Sequence, residues 1–85
     1  MDFLEFAGRR FEFIRASDVA RDGMLLMADE ILSDGQQITV LEAFWHDPDG
    51  RLTFSAFERD LPFDLVEAFL ANVKPALTPT NASGN

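Results

Sequence analysis

The sequence predicts an α+β domain: an antiparallel β-meander of about four to five strands with one C-terminal helix packed on one face. Three observations carry this. The dipeptides Asp22-Gly23, Asp34-Gly35 and Asp49-Gly50 punctuate the middle of the chain. Asp-Gly between apolar runs marks a tight turn, because Gly takes a positive φ without steric cost. Around the last of these turns apolar residues recur with period two, and only after Asp60 does the spacing become helical.

The first strands are read from Phe3–Ala7 and Arg10–Arg15, with a turn near Gly8-Arg9. That register puts Leu4, Phe6, Phe11 and Phe13 on one face and sets Glu5 near Glu12, a like-charge pair that Arg9, Arg10 and Arg15 would relieve. Residues 17–33 read two ways. Ser17-Asp18 could cap a helix running to Leu32, but Gly23 would sit inside it at a cost of about 1 kcal/mol. A loop through Gly23 followed by a strand across Met24–Ile31 is preferred.

The clearest hairpin joins Ile38–His46 to Arg51–Arg59 across Asp47-Pro48-Asp49-Gly50. A two-residue loop would set Trp45 opposite Phe54, and a four-residue loop would set Trp45 opposite Leu52 and Ala43 opposite Phe54. Both put Leu41, Ala43 and Trp45 on one face with Leu52, Phe54 and Ala56. Only a bulge or an odd loop would flip a strand. The opposite face, with Ile38, Val40, Glu42, Phe44 and His46 against Thr53, Ser55, Phe57 and Arg59, is mixed rather than polar. The N-terminal hairpin or another molecule is expected to cover it.

The helix follows Asp60-Leu61-Pro62, since Pro is tolerated in a first turn. Leu61, Leu65, Val66, Phe69, Leu70 and Val73 form its apolar stripe, with Asp64 and Glu67 early and Lys74 late, as the helix dipole favours. Pro75 is expected to end it, giving one domain over residues 1–75 and a tail over 76–85. The expected core is Phe6, Phe11, Phe13, Leu41, Trp45, Phe54, Leu65, Phe69 and Leu70.

Composition narrows the function. A chain of 85 residues makes a single small domain, and its nine Phe and one Trp can build a core without disulfides, since there is no Cys. Fifteen acidic residues against seven basic ones leave a net charge of −8, which disfavours nucleic acid and anionic membranes as partners. Neither a secretory signal nor an apolar run of spanning length is visible, so a soluble, cytoplasmic protein is expected.

The stretch Glu42-Ala43-Phe44-Trp45-His46-Asp47-Pro48-Asp49-Gly50-Arg51-Leu52-Thr53-Phe54, with Asp60-Leu61-Pro62 and Val66-Glu67, resembles short, functionally uncharacterised bacterial α+β proteins. These pair a strand–acidic turn–strand hairpin with an Asp-Leu-Pro helix start. The resemblance covers about residues 1 to 77. It implies an α+β fold and a bacterial origin, and it transfers no activity and no site residue.

Chemistry-bearing motifs are absent from the pattern. His46 is the only His, and without Cys or a nucleophile in a recognisable setting it suits a turn better than a triad. The acids Asp29, Glu30, Asp34, Asp47 and Asp49 lack the alternation of a calcium loop, and Glu42 is more readily paired with an Arg than used as an acid or base. No catalytic, metal or cofactor-binding residue is assigned, and no cofactor is expected. The expectation is a non-enzymatic protein-binding domain that engages another protein or itself, with Ile38, Val40, Phe44 and Phe57 as candidate interface and an edge strand as a second route. Two rivals have separate signatures. An acidic inhibitor, such as an immunity protein or phage-encoded antagonist of a basic target, would bind in a salt-sensitive way. A small metal-dependent hydrolase would need His46 and would be stabilised by its metal.

Overall fold

The computed structural model describes residues 3–78. It is a five-stranded antiparallel sheet in the order β1-β2-β3-β4-β5, with one helix on one face. The strands are β1 (Leu4–Phe6), β2 (Arg9–Asp18), β3 (Gly23–Ile31), β4 (Gln37–His46) and β5 (Arg51–Ala56), and the helix is α1 (Phe63–Leu77). Neighbours in sequence are neighbours in the sheet throughout, as short turns require. Residues 17–33 take the strand alternative.

Each turn follows from its residues. Ala7 and Gly8 have φ of 53° and 75°, the double positive of a two-residue hairpin loop, and Phe6 pairs with Arg9. This places the turn one residue earlier than the sequence suggested, so Glu5 faces Arg10 instead of lying near Glu12. Glu12 instead opposes Asp29 on β3, beside Gln37 and Thr39, whose side chains donate to them. Between β4 and β5 the loop takes its four-residue form: His46 pairs with Arg51, Trp45 with Leu52 and Ala43 with Phe54. Gly50 turns there with φ of 67°, its N–H donating to the His46 carbonyl.

The helix buries Leu65, Phe69, Val73 and Leu77, an i, i+4 ladder, against Phe11, Leu26, Ala28, Leu41 and Ala43. Trp45, Leu52, Phe6 and Phe13 border this core. Two edges of α1 differ from expectation. It runs through Pro75 to Leu77, and Leu77 is buried, so the packed domain extends past residue 75. A proline near the last turn removes one N–H without stopping the chain. Thr78 closes the end, its N–H and hydroxyl both donating to the Lys74 carbonyl, and Arg15 Nε donates to the Ala76 carbonyl from β2. The rest of the expected tail, residues 79–85, lies outside the described residues. Leu70, assigned to the core stripe, is instead 51% exposed, and Phe54 across from it is 48% exposed.

A bulge in β4 reorganises the hairpin's far end. Ala28 pairs with Leu41 but Asp29 pairs with Thr39, so Val40 is an extra residue with no opposite number on β3. The Val40 side chain joins the core, with 1% of its surface exposed, beside Leu41. Period-two counting fails there, which moves Ile38 to the helix side, opposite Glu30.

An ion-pair bridge ties the open end together. Arg9 donates through Nε and Nη2 to both carboxylate oxygens of Glu30, at 3.0 and 2.8 Å, and through Nη2 to Glu58 at 2.9 Å. It thereby links β2, β3 and the β5–α1 connection. The guanidinium holds the Glu30 carboxyl below the usual carboxylate range. The bridge is only part-buried, so Arg9→Ala is expected to cost about 1–2 kcal/mol in urea unfolding. A carboxyl with a depressed pKa stabilises the fold above its unfolded pKa and loses that contribution as pH falls through the folded value. The gap between the two proteins should therefore shrink between about pH 5 and pH 3.

Candidate functional site

The sheet face away from α1 carries Ile14 and Ala16 of β2, Leu25 and Met27 of β3, and Glu42 and Phe44 of β4. The N-terminal hairpin does not cover it; β1 and β2 lie in the sheet itself. Yet Phe44 is only 8% exposed. Arg21, from the β2–β3 loop, lays its guanidinium 4.3 Å above the ring. Arg21 is anchored by Asp18 at 2.6 Å and Glu42 at 2.9 Å, and it holds the Asp18 carboxyl below its ordinary range.

The expected interface of Ile38, Val40, Phe44 and Phe57 is therefore not one surface. Val40 is core and Phe44 is capped, so neither is offered to a partner. Ile38 and Phe57 are exposed, but the bulge has moved Ile38 off the face that held Phe44.

His46 sits at the end of β4, 6.2 Å from the Phe44 ring. Its Nδ1 lies 2.9 Å from Asp49 Oδ1, which also accepts the Arg51 N–H at 3.0 Å. The imidazole holds the Asp49 carboxyl below its ordinary range. Both side chains thus fasten the β4–β5 turn. Arg21, Arg51 and Thr53 share the adjoining 410 Å³ hollow, where Arg21 is already engaged by two carboxylates. Among the described residues no three His, Asp or Glu side chains are placed to hold a metal ion.

The third surface was not legible in the sequence. A groove of about 460 Å³ runs between β5 and α1, lined mainly by Leu52, Phe54, Leu70, Val73, Lys74 and Pro75. Phe63, seven residues before Leu70 and 72% exposed, continues the same helix face. The strand beside the groove is a sheet edge. Phe57 N–H donates to the Val40 carbonyl at 2.9 Å, so the alternation of an antiparallel ladder turns Ser55, Thr53 and Arg51 towards β4. The main-chain groups of Leu52, Phe54 and Ala56 then point outward, and their side chains stand on the groove side.

The two edges of the sheet contrast. β1 has three residues, and Arg10 covers the Phe3 ring at 4.6 Å. β5 has six, and the run Leu52-Thr53-Phe54-Ser55-Ala56-Phe57 contains no charge and no proline. Exposed edges are ordinarily blunted by charge, proline or brevity. β5 is not.

Comparison with models of protein families, with curated proteins and with solved structures finds no match for the chain.

Proposed function

We infer that this domain is a non-enzymatic, cytoplasmic protein-binding module that accepts an extended protein segment along β5. The observation that carries the reading is an unblunted edge strand standing beside an apolar groove. Main-chain groups at Leu52, Phe54 and Ala56 would hydrogen-bond the incoming strand, and alternate side chains of that strand would drop between Phe54 and Leu70. Such a site reads backbone first and side chains second.

The local charge favours this over an acidic inhibitor surface. No carboxylate lies between Arg51 and Glu58, and Asp18, Glu30, Glu42 and Glu58 are already paired with Arg9 or Arg21. The partner segment is therefore expected to be apolar rather than basic.

Leu70→Asp provides the test. Leu70 is half-exposed, so the fold should keep its melting temperature within a few degrees, since surface changes cost about 0.5 kcal/mol or less. Affinity capture from the native host, compared between the original chain and Leu70→Asp, should lose the bound protein in the variant. Capture that is indifferent to Leu70→Asp would refute the groove as the site.

A further inference from the structure

We propose that the segment occupying β5 is the β5 strand of a second copy, the two chains forming a symmetric dimer with one continuous sheet. The proposal rests on the reading of β5 as a binding edge and goes further by naming the occupant. The chain's own edge is the first candidate, because from Leu52 to Phe57 it carries no charge, and Leu52, Phe54 and Ala56 make it apolar on the groove side.

Self-pairing is tested by register. A two-fold axis at Phe54 sets Phe54 against its own copy, Leu52 against Ala56 of the second copy, and Thr53 against Ser55 of the second copy. All outward main-chain groups of Leu52, Phe54 and Ala56 then meet outward groups, giving about six inter-chain hydrogen bonds. On the groove side, two aromatic rings meet at the axis with an aliphatic pair on either side. On the other side, hydroxyls face hydroxyls. Such cross-strand pairs are among those that stabilise sheets.

The helices lie on the same side of the joined sheet, and the two grooves merge into one trough walled by both copies of Leu70.

Two properties of the dimer follow. Its contact is one strand edge and a groove wall, at the small end of protein interfaces, below about 1,200 Å² in total. Dissociation constants on the order of 10–100 μM suit that size. Each chain also carries a net charge of −8, so the copies repel at long range. Salt shortens that repulsion to about 10 Å at 0.1 M, and association should tighten as salt rises. A basic partner would show the opposite trend.

Ala56→Pro is the decisive variant. The Ala56 N–H points away from β4, so proline removes an outward donor while leaving the bonds within the chain, as edge strands tolerate. Analytical ultracentrifugation at up to about 1 mM should find the original chain dimerising and Ala56→Pro dimerising more than about 10-fold more weakly. Hydrogen exchange on the unaltered chain supplies a readout that does not depend on the variant folding. Amides of Leu52, Phe54 and Ala56 should gain protection as concentration rises, while those of Thr53 and Ser55 stay protected throughout. A chain monomeric at about 1 mM, or exchange at Leu52, Phe54 and Ala56 that ignores concentration, overturns self-pairing. If capture of another protein still depends on Leu70, the β5-binding reading survives that result; if capture ignores Leu70→Asp, both fall.

Discussion

Gly23→Ala is expected to destabilise the fold by more than about 3 kcal/mol. A Cβ at this position would lie far inside contact distance of the Trp45 carbonyl oxygen and 2.6 Å from Phe44 Cζ. The carbonyl cannot swing aside cheaply. It belongs to β4, where Gly23 pairs with His46, and the next residue, Asp47, donates its N–H to the Asp22 carbonyl at 3.0 Å. The Phe44 ring is also held, beneath Arg21. Relief must come from parting β3 and β4 at their ends, which costs more than about 3 kcal/mol, the upper range for overpacking. A domain of this length has roughly 4–13 kcal/mol in total. Gly35→Ala is the control. Gly35 has φ of 90° with nothing within 4 Å of an added Cβ, so only backbone strain of about 1–2 kcal/mol is expected. Urea unfolding followed by Trp45 fluorescence should rank Gly23→Ala well below Gly35→Ala. Equal midpoints would show that the close approach at Gly23 is not what fixes it.

The contrast between these glycines shows how far sequence reasoning reaches. Asp34-Gly35 and Asp49-Gly50 turn as their dipeptides suggest, with the glycine at positive φ. At Asp22-Gly23 the positive φ falls on Asp22, 59°, and the glycine serves instead to let two strands close. The dipeptide signals that a turn is present, but not which steric demand it meets. Alternation located the β4–β5 pairing because the side-chain period of a strand is two and both plausible loop lengths preserve the faces. It failed beyond Leu41, because a bulge at Val40 is a property of two strands together and leaves no mark in one.

The groove was hidden for a related reason. Phe54 and Leu70 are the residue types of a core and stand at core spacing, and only the lateral position of α1 over β3 and β4 leaves them at the rim. Helical spacing defines a stripe about two residues wide, and which edge of that stripe is covered depends on where the helix comes to rest. Pro75 misled in the same direction. Its ring forbids one hydrogen bond, and burial of Leu77 one turn-fraction later, with Arg15 reaching the Ala76 carbonyl, outweighs that loss. In each case tertiary packing decided what local chemistry left open.

Phe69→Ala is expected to lower stability by about 3–5 kcal/mol, the range for removing a buried phenyl ring. Phe69 is fully buried on α1 where three elements meet. The Phe13 ring of β2 stands edge-on to it at 5.4 Å, and the Phe54 ring of β5 lies 6.2 Å away. Deleting the ring leaves a cavity that the hydrogen-bonded sheet cannot readily collapse to fill, and it strips Phe54 of its inner support. Phe69→Leu keeps most of the volume and should cost nearer 1–1.5 kcal/mol. The pair separates two consequences, since the Phe54 ring meets Phe69 on one side and lines the groove on the other. Stability, read from urea midpoints, should follow lost volume at Phe69. Association along β5, read by sedimentation under conditions where both variants remain folded, should follow the position of Phe54, and Phe69→Ala should weaken it more than Phe69→Leu although neither side chain reaches the surface. Undiminished association in folded Phe69→Ala would mean that the Phe54 ring takes no part in the contact.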